Sequence, residues 1–430
     1  MKRIVELDGI RAFAILMVIT HHYYPFTVML YGLPEFGWVG VELFFVLSGF
    51  LITSILLQLK ERPHPYKIFY ARRILRIFPP YYAVFILVLS LAMLQGDHFS
   101  WSKMIGKIFF LQSFGESPAV FAHILHTVQG NLSFPDPFIR EDLPNAMHGF
   151  FVHGGFSKSF VPTWSLSIEE WFYILWAPMV LHFRQKVLGS ICIITCILAL
   201  AVRWFGFLGF DTYFDFFSRI DVLMGGALLA LWVEHRRELP KPAQERCDSM
   251  LLWISAACAL LLAVILYTGR PVIGREIRND CLFMVFGLPL ITLGFSGLLN
   301  HIIKHGGSNR RLHRVLRIKP LVAIGTISYT LYLVHVPVLF LVNEAAAHLR
   351  FLSVQSYTGS LVVALTSFLC SLSVASLSFR YFESPILKYK NRLSGYFSND
   401  RALSDSNFIE DASGIEQHTK RTTVQALPYS

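Results

Sequence analysis

The chain has 430 residues, 54% of them hydrophobic and only 15% charged, against about a quarter charged in ordinary soluble domains. Its apolar residues run in long blocks rather than one-faced stripes, which argues against a soluble globular protein. The net charge of +10 sits mostly between those blocks and accompanies no nucleic-acid-reading domain, so no nucleic-acid partner is expected.

In chain order, apolar runs of near-membrane length fall at roughly 10–30, 38–58, 79–95, 165–182, 187–204, 219–234, 250–267, 281–299, 321–342 and 359–380. The runs at 79–95 and 219–234 are short, which tilt or burial against neighbours accommodates. The first run is too long for a signal peptide, has no small-residue cleavage site and contains histidines, so it counts as a span. Lysine and arginine gather at the amino terminus and in 59–78, 183–186, 235–249 and 300–320. By the positive-inside rule those segments and both termini are cytoplasmic. The expected fold is an all-α polytopic membrane protein, a bundle of about ten transmembrane helices in a lipid bilayer.

Two segments break the pattern. Residues 96–164 read as a long external loop rich in Phe, Pro and His. Its stretch KMIGKIFFLQSF, 103–114, is expected to lie along a surface or re-enter the bundle. It also holds Asn131-Leu132-Ser133, a glycosylation sequon that matters only in a eukaryotic host. Residues 391–430 are polar and read as a disordered cytoplasmic tail. Cys192, Cys196, Cys258, Cys281 and Cys370 read as inert packing residues and Cys247 as a cytoplasmic thiol. Their spacing suits no metal, and neither a metal nor a bound cofactor is expected. No internal repeat and no fused soluble catalytic domain is visible.

Ionisable residues inside such runs are costly and mark function by default. Arg11 and His22 are eleven residues apart, about 1100° of helix, within roughly 20° of three full turns. They therefore share a face, separated by about 16–17 Å along the axis. His21 points about 100° away. The plainer account is that Arg11 snorkels to headgroups and His22 is a satisfied core histidine.

Next, Arg72, Arg73 and Arg76 in FYARRILRIFPPYY precede what reads as a helix start at Pro79-Pro80. Clustered arginines hold phosphates through charge-assisted hydrogen bonds, although positive-inside charge alone also supplies arginines. In VPTWSLSIEEWFYILWAP, Glu169 and Glu170 lie near the outer end of a span, at a depth like that of His22. A carboxylate there is expected to orient the histidine or raise its basicity. Glu42 also sits near an outer end. Arg219 and Asp221 are expected to pair with each other, and Tyr329, Tyr332 and His335 fall on roughly one face, a pattern that plain aromatic packing also gives.

The stretches LDGIRAFAILMVITHH, GWVGVELFFVLSGFLI, FYARRILRIFPPYY, WSLSIEEWFY, SRIDVLMGGALLA, ISYTLYLVHVP and RYFESPI run in order from Leu7 to about Ile386. Together they resemble the integral-membrane acyltransferase family 3, the bacterial O-acetylases of surface glycans. The resemblance implies that 1–390 form a ten-helix acyltransferase unit with a cytoplasmic acyl-CoA donor and a sugar hydroxyl as the usual acceptor. The family's arginine–histidine motif falls on Arg11 and His22, and its Arg-x-x-Arg motif on Arg73 and Arg76. Its Ser-x-x-Glu-Glu element does not align cleanly with Ser165-Leu166-Ser167-Ile168-Glu169-Glu170. Trp171 stands where the family commonly has Gln, and Glu42 where Asp is frequent.

The expected activity is O-acyl transfer, with acetyl as the expected group, from acyl-CoA onto a polysaccharide or lipopolysaccharide hydroxyl in the bacterial inner membrane. His22 is the expected general base, assisted by Glu169 or Glu170. Arg11, Arg72, Arg73 and Arg76 are the expected donor-binding residues, and Glu42, Tyr332 and His335 the expected acceptor or supporting ones. A lipid or small natural product as acceptor is the alternative within this chemistry, and a proton-coupled transporter is the alternative outside it.

Overall fold

The computed structural model describes residues 4–23, 37–96, 101–114, 156–204, 213–268, 283–349 and 357–389. Among these residues every regular element is helical and no strand occurs. The helices are α1 (Glu6–His22), α2 (Val39–Leu59), α3 (Pro65–Leu94), α4 (Trp101–Ile108), α5 (Trp164–His182), α6 (Gln185–Trp204) and α7 (Phe216–Arg236). They continue as α8 (Lys241–Thr268), α9 (Leu288–Lys304), α10 (Arg311–Leu316), α11 (Lys319–Thr326), α12 (Ser328–Leu349) and α13 (Tyr357–Ser378). A π-helical turn, Phe283–Gly287, leads into α9, and another, Phe379–Glu383, prolongs α13.

Eight stretches of the described residues are long and apolar enough to cross a membrane by length and composition. The two remaining expected runs are occupied by helices α1, with 17 residues, and α5, with 19, residues 24–30 of the first lying outside the described residues. The protein is an all-α polytopic membrane protein. Its outward surface carries apolar side chains such as Ile194, Leu198, Trp253 and Leu260, as a lipid-facing surface requires. The tail 391–430, the sequon at 131–133 and Cys281 lie outside the described residues.

Three expectations about the elements need correction. The arginine cluster does not precede a helix; it lies within one. Helix α3 starts at Pro65, after His64 in a left-handed conformation (φ 53°), and runs for 30 residues through Pro79 and Pro80. Proline at the first helical position loses no bond. The internal prolines cannot donate to the carbonyls one turn back, and the Tyr329 hydroxyl reaches the same stretch, donating to Ile77 O at 3.0 Å. Second, the run 321–342 is two helices, α11 and α12, broken at Ile327.

Third, Arg219 and Asp221 do not pair with each other. Residues two apart on a helix point to different faces. Arg219 pairs with Glu42 of α2, and Asp221 receives both Arg203 Nη1 (2.9 Å) and Arg203 Nη2 (2.8 Å) from α6.

The core forms where α2 crosses α7 at close range. A Cβ on Gly49 would overlap the Leu223 carbonyl, and one on Gly226 the Val46 carbonyl. Small residues permit such backbone approach, and apolar packing then holds the crossing. Helix α1 packs on α2, α11 and α12, while α12 also packs on α13 and α3. These contacts arrange α1, α2, α3, α5 and α12 around one interior.

The stretch 103–114 docks on the bundle. Phe110 is buried against Tyr81 and Phe78 of α3, with ring centroids 4.3 and 5.8 Å away. Its carbonyl accepts from Ser167 Oγ (2.5 Å) and from Trp171 Nε1 (2.9 Å) on α5. The tryptophan that departs from the family pattern therefore anchors this segment.

Candidate functional site

The site is built along α1. Arg11 and His22 lie on one uninterrupted helix, so the phase relationship read from the sequence holds for the backbone as folded. Arg11 Nη1 donates to Asp8 Oδ1 at 3.0 Å, one turn back, and stays half-buried. Eleven residues on, the His22 ring meets α12: His22 Nδ1 and His335 Nε2 are 3.1 Å apart. His335 is fully buried. Three residues earlier, the Tyr332 hydroxyl donates to Pro162 O (2.5 Å) and meets Ser165 Oγ (2.7 Å), joining α12 to the start of α5.

Glu169 and Glu170 sit elsewhere. Glu169 is held by Ser48 Oγ of α2 (2.8 Å) and by the Tyr173 hydroxyl (2.9 Å), within electrostatic reach of Arg73 and Arg11. Among the described contacts the His22 ring meets His335, and Glu169 binds Ser48 and Tyr173. The expectation of a carboxylate level with His22 assumed that the outer ends of the first and fourth spans lie at the same depth. The α1–α2 contact shows the offset. Gly40 of α2 lies against Ala14, Met17 and Val18, and Gly37 against Met17 and His21. Ser48, two turns further along an antiparallel helix, therefore falls near the level of Arg11, about 12 Å along the axis from Gly40. Glu169 follows Ser48 to that level.

Glu170 is buried, and its Oε1 has no hydrogen bond among the described residues. Arg73 supplies the nearby positive charge. The Arg73 guanidinium lies over the Tyr173 ring at 5.5 Å and the Phe69 ring at 5.9 Å, a stacked setting that suits Arg and not Lys. Arg72 and Arg76 are also half-buried on α3. The charge of Arg76 reaches Glu383 in the π-helical turn after α13, and Glu383 accepts from Thr330 Oγ1 (2.6 Å) and Ser378 Oγ (3.1 Å).

The fold thus joins His22 with His335, and Glu169 with Arg73 and Arg11, in two clusters at different depths of one interior. Glu42 belongs to neither, being held by Arg219. Ser48, Tyr173, Thr330 and Glu383 escaped the sequence reading. Ser48 and Thr330 carry no signal as single hydroxyls in apolar helices. Glu383 lies just past the last expected span, beside Arg380, where a charged residue reads as ordinary interfacial polarity. No group of His, Cys, Asp and Glu suited to a metal ion occurs among the described residues.

Such an interior offers a paired imidazole at one level and a guanidinium–carboxylate cluster at another, with about 16 Å of helix between Arg11 and His22. Residues 4–379 match the model of the acyltransferase 3 family, described as an acyltransferase domain. The chain belongs to this family. It is 27% identical over 431 aligned residues to the peptidoglycan O-acetyltransferase OatA of Listeria monocytogenes, covering 95% of this chain and 59% of that protein. It is 25% identical over 399 residues to the O-acetyltransferase OatA of Staphylococcus aureus, covering 89% of this chain and 57% of that one. The acyltransferase 3 chain described here therefore spans less than two thirds of either relative. No solved structure matches it.

Proposed function

We propose that the protein is a membrane O-acetyltransferase that moves an acetyl group from acyl-CoA to a hydroxyl of a glycan. Family membership supports acyl transfer, and the relatives, named as O-acetyltransferases, support O-acetylation, with peptidoglycan as an example of an acceptor. The observation that carries the reading is the placement of Arg11 and His22 on one face of one helix, with the half-buried arginines of α3 at one level and the half-buried His22 against the buried His335 at the other.

In this reading the donor enters from the cytoplasm. Arg72, Arg73 and Arg76, with Arg11, hold its phosphates, and the charge of Glu169 acts on Arg73 through space. The pantetheine arm follows the Arg11–His22 face, whose length of about 16 Å matches it in order of magnitude. His22 takes the proton of the acceptor hydroxyl as general base, a role for which an imidazole with an unperturbed value near 6.5 is suited. The oxygen attacks the thioester carbonyl, the C–S bond breaks, and the proton passes from His22 to the leaving thiolate. Tyr332 and Ser165 close the interior beside this point. The bacterial inner membrane is the proposed location.

The test is transfer of labelled acetyl from acetyl-CoA to glycan fragments by the purified protein in detergent. Wild-type transfer is expected, with none in a folded His22→Ala variant. A fully active His22→Ala variant would falsify the reading. Mass spectrometry of the host glycans, looking for loss of an increment of about 42 daltons when the gene is removed, identifies the acceptor.

A further inference from the structure

We infer that His335 is the positioning residue of the reaction: it fixes the tautomer and orientation of His22, the task a carboxylate performs in many histidine-based sites. The inference rests on the acyl-transfer reading of His22.

The hydrogen-bond chain determines where the protons sit. His335 Nδ1 lies 2.6 Å from Tyr332 O, a carbonyl oxygen that only accepts, so Nδ1 carries hydrogen. In the neutral ring Nε2 is then an acceptor. It faces His22 Nδ1 at 3.1 Å. The hydrogen between the two rings therefore belongs to His22 Nδ1. That nitrogen also lies 3.0 Å from Val18 O, a second atom that only accepts. Both neighbours require hydrogen on Nδ1, so the neutral His22 ring keeps its lone pair on Nε2. A general base needs that lone pair.

His335 is itself immobilised. Its side chain is fully buried. The Tyr23 hydroxyl donates to its carbonyl at 3.0 Å and pairs with Ser371 Oγ at 3.3 Å, tying α12 to both α1 and α13. The rings of His22 and His335 have centroids 5.0 Å apart and planes tilted by 52°, an inclination that fits a nitrogen-to-nitrogen bond rather than parallel stacking.

The chemistry follows. When His22 Nε2 takes the hydroxyl proton, the O–H bond breaks and an N–H bond forms, and the ring becomes an imidazolium. Its Nδ1–H, shared between His335 Nε2 and Val18 O, then makes charge-assisted hydrogen bonds. As the acyl C–O bond forms, the C–S electron pair leaves on sulfur and the Nε2 proton passes to the thiolate, returning His22 to its starting tautomer. His335 gains and loses no proton.

Glutamine and asparagine separate this role from packing. Gln places its amide oxygen near the position of Nε2, whereas Asn reaches only that of Nδ1. We expect His335→Asn and His335→Ala to lower kcat on the order of 100-fold with donor KM unchanged, and His335→Gln to keep kcat at least about tenfold above His335→Asn. Equal losses in the Gln and Asn variants, or a wild-type kcat in His335→Asn, overturn the inference. A second measurement needs no variant: the 15N shifts of His22 in labelled wild-type protein should show hydrogen on Nδ1 and a bare Nε2, and the opposite tautomer overturns it. If His22→Ala is inactive while His335→Asn is normal, only this inference fails. If His22→Ala is active, the acyl-transfer reading fails with it.

Discussion

Glu42 of α2 and Arg219 of α7 form an ion pair with both side chains fully excluded from solvent. The Arg219 guanidinium also lies over the Tyr213 ring at 4.7 Å and the Trp164 ring at 5.8 Å. Removing one partner strands a buried charge, which costs about 3–5 kcal/mol, whereas replacing both with apolar residues of similar volume is often neutral. Glu42→Ala and Arg219→Ala are each expected to lower thermal stability in detergent strongly, and Glu42→Met with Arg219→Leu to recover most of it. Two small, additive losses in a double-mutant cycle would sink the claim that the pair acts as a unit.

His21 and His22 are neighbours with different surroundings. The His21 Cβ faces Gly37 in the contact between α1 and α2, while the His22 ring meets His335. His21→Ala is expected to keep transfer within a few-fold of wild type, and His22→Ala to lose at least about 1,000-fold, the scale of a lost general base. Steady-state rates with the two variants at matched folded concentration decide it, and equal losses would remove the basis for assigning the base to His22.

The donor site is tested at Arg73. Its guanidinium stacks on Tyr173 and Phe69 and faces Glu169 and Glu170. We expect Arg73→Ala to raise donor KM roughly tenfold, the worth of one charge-assisted contact, with little change in acceptor KM. Arg73→Lys is expected to restore little, because an ammonium lacks the planar stacking face. A larger effect on acceptor KM would place Arg73 on the wrong substrate.

What the sequence disclosed and what it hid follow from the range of the interactions. The spans and the shared face of Arg11 and His22 depend on apolar length and a period of 3.6 residues, both local properties. The start of α3 at Pro65 was hidden because charged residues before Pro79 read as loop, although a basic cytoplasmic turn can continue a helix. The partner of Arg219 was hidden because Asp221 is near in sequence while Glu42 is near in space, 177 positions away. The meeting of His22 with His335 spans 313 positions. The two residues sit in separate family-like stretches, and nothing in either specifies a register between α1 and α12.

At the opposite end of α1, Glu6 ties the chain to a distant loop, and this tie should be pH-dependent. Glu6 Oε1 accepts from Gly307 N–H (2.8 Å), with His313 Nδ1 at 3.2 Å and Arg317 Nε at 3.6 Å. Gly307 has φ +79°, a conformation that favours glycine and aims its N–H at the carboxylate. Burial alone would raise the Glu6 carboxyl, but the hydrogen bonds from Gly307, its own backbone and His313, with the charge of Arg317, hold it below the ordinary value of 4.5. A depressed folded value means that the ionised form stabilises the fold. The contribution is complete above the unfolded value and is lost as pH falls through the lower folded one. Thermal unfolding of wild type and Glu6→Gln should therefore differ most near neutral pH and converge in acid, across a scan from about pH 7 to pH 3. A gap that stays constant over the scan would show that Glu6 acts by packing and not by charge.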